Sequence, residues 1–399
     1  MTPHPARLRD RLEGKLPAML ELLEALVRAE SPSDDPDAAG APLPILAAAL
    51  EAAGLETRRL PGRGSAGQLL ARPARRARRS RYQLLVGHAD TVWPRGTLAR
   101  MPAERRDGRF YGPGAFDMKG GLVALAFALE ALRDLAGDGL SVDPVVLVTT
   151  DEEIGSQDSV RAIRRLARGA DRVLVLEPPL GPEGLLKTAR KGTGVFRIRV
   201  RGRAAHAGLE PEKGARAIHE AARLVREILA LEAERDGLGL NVGTIRGGTR
   251  PNVVAEDCEL DVDVRVARRA DAAFVEERIR GLVPSGDGLE IEVSGGLSRP
   301  PMERTPGSRA LWETACGIGR DLGLELGEAT SGGGSDGNFT SALAPTLDGL
   351  GPIGDGAHAP HEHIVVASLP ERAALVAGLL LAPALESAPP NPDRVISRS

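Results

Sequence analysis

Apolar side chains recur at helical spacing near the start of the chain. The positions are Leu12, Leu16, Met19, Leu20, Leu23 and Val27. They predict an amphipathic helix over residues 8–29, in which Pro17 marks either a kink or the true start. A second helix is expected at about residues 41–53.

Short, continuous and β-branched apolar runs follow at residues 82–86, 145–148 and 173–176. Such runs are typical of strands that are buried on both faces of a parallel sheet. Helical stretches near residues 120–135 and 158–168 lie between them. Because strands alternate with helices, this part of the chain predicts an α/β layered domain.

The pattern changes after about residue 187, and residues 195–200 alternate as in a half-exposed strand. The elements expected next are a helix at about 214–233, strands at about 240–245 and 258–266, a helix at about 269–282 and a strand at about 289–294. This β-α-β-β-α-β order is the ferredoxin-like unit. Helices then resume at residues 308–322.

The second pattern interrupts the first, which predicts an inserted domain. Residues 1–186 and 301–399 are expected to form the two parts of a catalytic domain, and residues 187–300 a small α+β domain. A chain of 399 residues fits this division, since domains usually have about 100–200 residues.

Composition excludes several functional classes. A net charge of −3 provides no global field that attracts nucleic acid, and no segment approaches the ~18 apolar residues of a membrane span. The N-terminus lacks an apolar signal core and the chain has only two cysteines, so a cytoplasmic location is expected. The basic run at residues 72–81 lacks aromatic residues and is expected to be a mobile, solvated loop.

Candidate metal ligands stand at the ends of the predicted strands. His88 and Asp90 share one face at the end of the first strand, so His88 can bind a cation while Asp90 orients it. Taken alone, this His-x-Asp pattern is also compatible with a surface loop. In a buried parallel sheet, however, ligands bind at the C-terminal ends of the strands.

Carboxylates end the other two buried strands. Glu152 and Glu153 follow the run at residues 145–148, and Glu177 follows the run at 173–176. Unpaired charge is unfavourable at a buried strand end, and cations would offset that penalty. Adjacent acids suit a division of roles, in which one binds metal and the other holds water; a solvated acidic turn is the alternative.

Two further segments contain candidate ligands. Glycines surround Asp117 immediately before a predicted helix, where it is either a metal ligand or a helix cap. The segment Gly356-Ala-His-Ala-Pro-His-Glu-His363 contains three histidines near the C-terminus.

In their order along the chain, these five segments resemble the co-catalytic zinc hydrolase family of aminoacylases, acetylornithine and succinyl-diaminopimelate deacylases, and glutamate carboxypeptidases. The resemblance extends from about residue 30 to the C-terminal helix. Bacterial glutamate carboxypeptidases are the most similar subgroup, because of the segment His88–Gly96 and the spacing from Asn252 to Arg265. The resemblance to this family implies a zinc-exopeptidase-like mixed sheet flanked by helices, with an inserted ferredoxin-like lid or dimerisation domain.

The resemblance implies two divalent metal ions, with Zn²⁺ favoured and Co²⁺ or Mn²⁺ as alternatives. The implied ligands are His88 with Glu177, Glu153 with His358, and Asp117 as a bridge between the two metals. Glu152 is implied as the general base and acid, and Asp90 as the support of His88. The peptide bond between Asp117 and Met118 is implied to be cis.

Substrate contacts are also implied by the resemblance. They are His206, Asn252, Arg265, Arg299 and the glycine loop around Gly333. His206 would hold the oxyanion, in its own subunit or in that of a partner. A guanidinium such as that of Arg265 suits a C-terminal carboxylate, although an ordinary salt bridge is its rival role. His361 and His363 match no ligand position and are expected to be exposed.

Three functions follow as alternatives. The first is an exopeptidase that releases a C-terminal amino acid from a peptide or N-acyl compound. The second is a deacylase of small N-acyl amino acids, and the third is a catalytically silent binding protein, against which the complete ligand set and Glu152 argue. A homodimer through the inserted domain is expected, with neither a nucleic-acid nor a membrane partner.

Overall fold

The computed structural model describes residues 5–74, 81–136 and 140–385. The helices are α1 (Pro5–Glu13), α2 (Leu16–Arg28), α3 (Pro36–Ala39), α4 (Leu43–Ala52), α5 (Gly120–Ala136), α6 (Val160–Ala167), α7 (Ala217–Ala230), α8 (Arg269–Arg280), α9 (Pro306–Asp321), α10 (Gly337–Thr340) and α11 (Ser368–Leu381). The first eight strands are β1 (Leu55–Leu60), β2 (Gln68–Pro73), β3 (Tyr82–His88), β4 (Glu104–Arg106), β5 (Arg109–Tyr111), β6 (Asp143–Thr149), β7 (Val173–Val175) and β8 (Leu186–Arg190). The others are β9 (Gly192–Arg201), β10 (Gly239–Gly247), β11 (Asp257–Val266), β12 (Glu290–Arg299), β13 (Glu328–Ser331), β14 (Thr346–Leu347), β15 (Gly354–Asp355) and β16 (His363–Val365).

The chain divides into two compact units. The first comprises Met1–Thr188, Arg304–Thr330 and Ser335–Ser399, and the second comprises Ala189–Glu303 and Ser331–Gly334. The second unit thus contains a short piece of the glycine loop in addition to one continuous segment.

A six-stranded mixed sheet forms the centre of the first unit, in the order β1-β2-β6-β3-β7-β14. Strands β6, β3, β7 and β14 are parallel to one another, whereas β2 pairs antiparallel with both β6 and β1 at one edge. Nearly every residue of β3 and β6 is buried, because helices cover both faces. The mixed sheet flanked by helices that was expected from the sequence is confirmed.

A second, four-stranded sheet of the first unit has the order β15-β16-β5-β4. Its hairpin between β15 and β16 contains His358. Helix α11 packs on α5 and on this hairpin, and nearly all of its side chains are buried. A helical segment that is apolar on all sides belongs inside a protein, which explains the uncharged run at residues 373–381 of α11.

The second unit has the order β9-α7-β10-β11-α8-β12 along the chain, and its antiparallel sheet has the strand order β10-β11-β9-β12. This is the ferredoxin-like arrangement, as expected. Alternate residues of β9 and β11 are buried, and with α7 and α8 they form the core of the unit. The other face has cross-strand ion pairs, including Arg197 with Asp261 at 2.9 Å and Arg199 with Asp257 at 2.8 Å.

Three expectations need revision. The single helix at residues 8–29 is two helices, and Pro17 is in the first turn of α2, where its missing N–H does no harm. Strands β1 and β2 were not expected, because their sequences mix charged and apolar residues without a clear period. The basic run begins inside β2, and its residues 75–80 lie outside the described part of the chain.

No helix among the described residues is long and apolar enough to cross a lipid bilayer. Cys258 and Cys316 are both free thiols.

The guanidinium of Arg172 ties the end of α11 to the central sheet. Arg172 is completely buried. It donates hydrogen bonds to the Gln83 side chain at 2.8 Å, and to the carbonyl oxygens of Leu379 at 3.1 Å, Ala382 at 2.7 Å and Pro383 at 2.7 Å. The last carbonyl groups of a helix lack hydrogen-bond donors within the helix, and here one arginine side chain provides the donors.

We expect R172M to lower the free energy of unfolding by about 3 kcal/mol, because buried acceptors lose their donors. Urea denaturation of the parent and the variant measures this difference. R165M, on the exposed side of α6, is the matched control and should change the value by less than about 0.5 kcal/mol. Equal stability of R172M and the parent would contradict the proposed role.

Candidate metal centre

The C-terminal ends of three parallel strands meet at one edge of the central sheet. His88 is the last residue of β3, Glu152 and Glu153 follow β6, and Glu177 follows β7. Strand β3 pairs with β6 on one side and with β7 on the other. The four side chains therefore come together because their strands are neighbours, as the strand-end rule predicts.

Asp117 lies between two imidazole rings. Its Oδ1 is 3.4 Å from Nε2 of His88, and its Oδ2 is 3.4 Å from Nε2 of His358. Each oxygen thus faces a different histidine. This is the geometry of a carboxylate that can bridge two cations.

A second carboxylate accompanies each histidine. Oε1 of Glu177 is 3.4 Å from Nε2 of His88, and Oε2 of Glu153 is 3.1 Å from Nε2 of His358. Zn²⁺ binds nitrogen and oxygen at about 2.0–2.2 Å, so two donors of one tetrahedral ion lie about 3.3–3.6 Å apart. The three spacings of 3.4 Å lie in that range and are long for hydrogen bonds, whereas the 3.1 Å between Glu153 and His358 is also a hydrogen-bond distance. The structure thus brings all five predicted ligands together in two pairs around Asp117.

Unsatisfied polar atoms support the same interpretation. Among the described residues, the buried atoms Nε2 of His88 and Oδ1 of Asp117 have no hydrogen-bond partner. Buried polar atoms are nearly always paired, so such exceptions indicate a missing partner such as an ion. The donor set of imidazoles and carboxylates, without thiolate, fits Zn²⁺, Co²⁺ or Mn²⁺.

The electrostatics of the cluster favour positive charge. Burial opposes protonation of His88, yet the carboxylates around it raise its pKa well above the usual range. Hydrogen bonds that the carboxylates of Asp117 and Glu153 accept from the ring raise the pKa of His358 to about 10. Although burial disfavours its charged form, the two imidazoles hold the pKa of Asp117 well below its usual value. Burial raises the pKa of Glu153, so the nearby imidazoles do not fully offset the cost of burying its negative charge.

Glu152 is buried beside one of the pairs. Its carboxylate, one imidazole nitrogen of His88 and one oxygen of Glu177 lie within 4.8 Å of one another. This position is compatible with a base next to the metals and also with a ligand. The base is the role that the resemblance implies, and it stays a prediction.

Asp90 supports the cluster through two of its groups. Nδ1 of His88 is 3.0 Å from the backbone carbonyl oxygen of Asp90 and 3.5 Å from its carboxylate. The carboxylate also accepts hydrogen bonds from Ser33 at 2.7 Å and from the backbone N–H of Glu153 at 3.2 Å. Asp90 thus joins the segment of His88 to the acidic turn after β6.

Glycines allow the close packing around Asp117. Gly114 has φ of 74°, in the left-handed region that glycine adopts readily. A Cβ atom on Gly121 would collide with the carbonyl oxygen of Leu176, so the helix after Asp117 can approach the end of β7 only with glycine there. The peptide bond between Asp117 and Met118 is cis, as implied by the resemblance.

The histidine-rich segment separates into three environments. His358 has φ of 60°, an uncommon conformation for a residue with a side chain, and its ring points to Asp117 and Glu153. His361 is exposed, as expected. His363 is only half-exposed, because its ring packs against Tyr111 with the ring centres 5.0 Å apart.

Glu362 is a member of this region that the sequence did not single out. It is fully buried and accepts four N–H hydrogen bonds from Trp93, Gly114, Phe116 and Asp117. Burial raises the pKa of Glu362 to about 7, against the effect of these donors. Its neighbours His361 and His363 made the segment look solvated, so no local pattern indicated its burial.

The predicted substrate contacts all lie in the second unit. His206 is exposed, and its Nδ1 accepts hydrogen bonds from the N–H groups of Gly208 and Leu209, both at 3.1 Å. The neutral ring therefore has its proton on Nε2, which is the donor that an oxyanion contact requires. Asn252 is also exposed, and its backbone carbonyl oxygen accepts a hydrogen bond from the N–H of Ala207 at 3.0 Å.

The two predicted arginines differ in environment. Arg265 donates from Nε and Nη2 to Asp263 at 2.8 and 3.0 Å, so the salt bridge that the sequence left open is present. Arg299 is buried. In the glycine loop, Gly333 N–H bonds to Ser331 Oγ at 3.3 Å, and its carbonyl oxygen accepts from buried Arg190 at 3.2 Å.

Comparison with known proteins gives one family. Residues 84–382 match the model of Peptidase family M20/M25/M40. The chain belongs to this family. The resemblance inferred from the five segments is thus confirmed, and the protein is a hydrolase of the M20/M25/M40 type.

Relatives within the M20/M25/M40 family include different hydrolases. The chain is 30% identical to carboxypeptidase G2 of Pseudomonas sp. (strain RS-16), over 92% of this chain and 89% of the relative. It is 29% identical to succinyl-diaminopimelate desuccinylase of Delftia acidovorans, over 88% of this chain and 94% of the relative. A tripeptidase structure from Staphylococcus aureus shares the fold, with a TM-score of 0.74 and 21% identity over 93% of this chain and 97% of that one.

We predict that the chelator-treated protein binds two divalent cations per chain. E153Q and E177Q should each lose one of them, whereas D117N should weaken both sites by more than about 100-fold. Changes in groups that merely support a ligand already weaken binding by about 10–100-fold, and Asp117 faces both pairs directly.

Elemental analysis after dialysis against Zn²⁺ measures the stoichiometry. E24Q is the matched control, because it removes only the exposed ion pair between Glu24 and Arg28 on α2. It should retain both cations. Full metal content in D117N would contradict the bridging position.

Proposed function

We propose that this protein is a metal-dependent exopeptidase that hydrolyses the amide bond of a C-terminal amino acid. The main support is the position of the Asp117 carboxylate, one oxygen toward each histidine–glutamate pair, with buried Glu152 alongside. We propose His88, Asp117, Glu153, Glu177 and His358 as the metal ligands.

The chemistry requires a base, an electrophile and a proton donor. When bound, two divalent cations would polarise the amide carbonyl group and lower the pKa of water at the site. Glu152 takes a proton from the attacking water and passes it to the leaving amine. Asp90 holds the ring of His88 in place through its backbone carbonyl oxygen, at 3.0 Å from Nδ1.

The substrate proposal is a small peptide or N-acyl amino acid with a free carboxylate. Carboxypeptidase G2 is the relative that supports release of a C-terminal residue. Arg265 and Arg299 are proposed to recognise the carboxylate, because guanidinium groups bind carboxylates in a bidentate manner. Since Asp263 already accepts from two nitrogens of Arg265, a substrate would bind through Nη1 or displace Asp263.

The alternative is removal of an acyl group from an N-acyl amino acid. Several desuccinylase relatives at 29–30% identity favour it. Both reactions need the same metal centre and base, so the residues that surround the substrate decide between them. The metal that is bound in the cell is proposed to be Zn²⁺, and a cytoplasmic location stays a prediction.

We expect an N-acyl glutamate or a dipeptide with C-terminal glutamate to give the highest kcat/KM in a panel that includes N-acetylornithine and N-succinyl amino acids. Steady-state kinetics on the Zn²⁺-reconstituted protein measures this. In E152Q, kcat should fall by about 10²–10⁴-fold, as for loss of a general base, with full metal content.

Two other results would revise the proposal. A succinylated substrate that is preferred by tenfold or more would establish the deacylase function instead. A loss of metal from E152Q would identify Glu152 as a ligand rather than as the base.

We also predict a homodimer that forms through the second unit. Strand β10 is at an edge of its sheet, and Ile218, Leu229 and Ile245 are large apolar side chains with 38%, 38% and 53% exposure. Light scattering coupled to size exclusion should give twice the chain mass of 41.9 kDa. I245E should shift the mass toward monomer, and a monomeric parent would refute the prediction.

A further inference from the structure

We propose that Glu362 is a positioning residue of the metal centre, which connects the three chain segments that contain His88, Asp117 and His358. The inference rests on the proposed metal-dependent function. It assigns to Glu362 no contact with metal or substrate.

The geometry around Glu362 is that of a saturated acceptor. Oε1 accepts from the backbone N–H groups of Phe116 and Asp117, both at 3.0 Å. Oε2 accepts from Gly114 N–H at 2.9 Å and from the indole Nε1–H of Trp93 at 2.7 Å. An ionised carboxylate has about four acceptor sites, and four N–H groups fill them.

These bonds determine the path of the chain at Asp117. Buried backbone N–H groups require partners, and those of Gly114, Phe116 and Asp117 find theirs in one side chain. The N–H of Asp117 is thereby held at the same residue whose two carboxylate oxygens must face His88 and His358. A shift of this segment would turn both oxygens away from their histidines.

The same carboxylate reaches the other two segments. Trp93 belongs to the loop that leaves β3 after His88. Glu362 itself belongs to the hairpin between β15 and β16, four residues after His358. Glu362 therefore connects three segments of the predicted metal centre. It belongs to the segment of His358 and accepts hydrogen bonds from the segments of Asp117 and His88.

The substitution E362Q tests this arrangement with little change of shape. An amide presents N–H groups where one carboxylate oxygen was, so two of the four donors then face another donor. Groups that support metal ligands typically change affinity by about 10–100-fold when they are replaced. We expect a loss of this size in E362Q for both cations, and less than about tenfold in W93F, which removes one donor only.

Titration with Co²⁺, followed by its visible absorption bands, measures affinity, stoichiometry and ligand geometry together. Thermal unfolding of the metal-free proteins is measured in parallel. There are two matched controls. E130Q removes an ion pair between Glu130 of α5 and Lys15, and W312F replaces the other tryptophan of the chain. Both controls should bind Co²⁺ as the parent does.

A weaker affinity and an altered spectrum in E362Q, with the metal-free protein still folded, would support the inference. Parental Co²⁺ affinity and spectrum in E362Q, whatever its stability, would overturn it. If E362Q does not fold, W93F decides, and an unchanged affinity and spectrum in W93F would overturn the inference. A parent that binds Co²⁺ normally but cleaves no amide would instead contradict the proposed function alone.

Discussion

Repulsion among largely buried carboxylates is the constraint on which the first unit depends. Carboxylate oxygens of Asp117 and Glu153 lie within 4.8 Å of each other, and so do those of Glu152 and Glu177. Like charges at such distances repel strongly in a medium of low dielectric constant. The folded state needs positive charge there, and the raised pKa values of His88 and His358 express the same need.

The sheet explains why these groups can meet at all. Strands β6, β3 and β7 are parallel neighbours, so residues from three distant parts of the chain end at one edge. Their apolar sequences are buried on both faces, which leaves only the strand ends for polar groups. The glycines before and after Asp117 then let its segment approach this edge.

Support for the predicted ligands comes from residues that are themselves held by hydrogen bonds. Asp90 joins His88 to the turn of Glu153, and Glu362 joins the segments of Asp117 and His358 to the loop of Trp93. Such outer contacts set the direction of a ligand and hence its affinity for metal. In the second unit, by contrast, Arg197, Arg199 and Arg265 pair with acids on the same sheet.

Continuous apolar runs were sufficient to predict the parallel strands, and the change of pattern after about residue 187 predicted the ferredoxin-like unit, because strand burial is a local property of sequence. The set of five ligands was implied by the resemblance to a known family, and the acids that end the buried strands agree with it. Local pattern failed for β1 and β2, whose exposed positions give no period, and for the break before α2. It also failed for Glu362, since burial of an acid depends on donors that are up to 269 residues away. The sequence by itself thus determined which chemical groups are present and at which strand ends, whereas only the tertiary structure decided that one oxygen of Asp117 faces each histidine, because that direction depends on hydrogen bonds between segments distant in the chain.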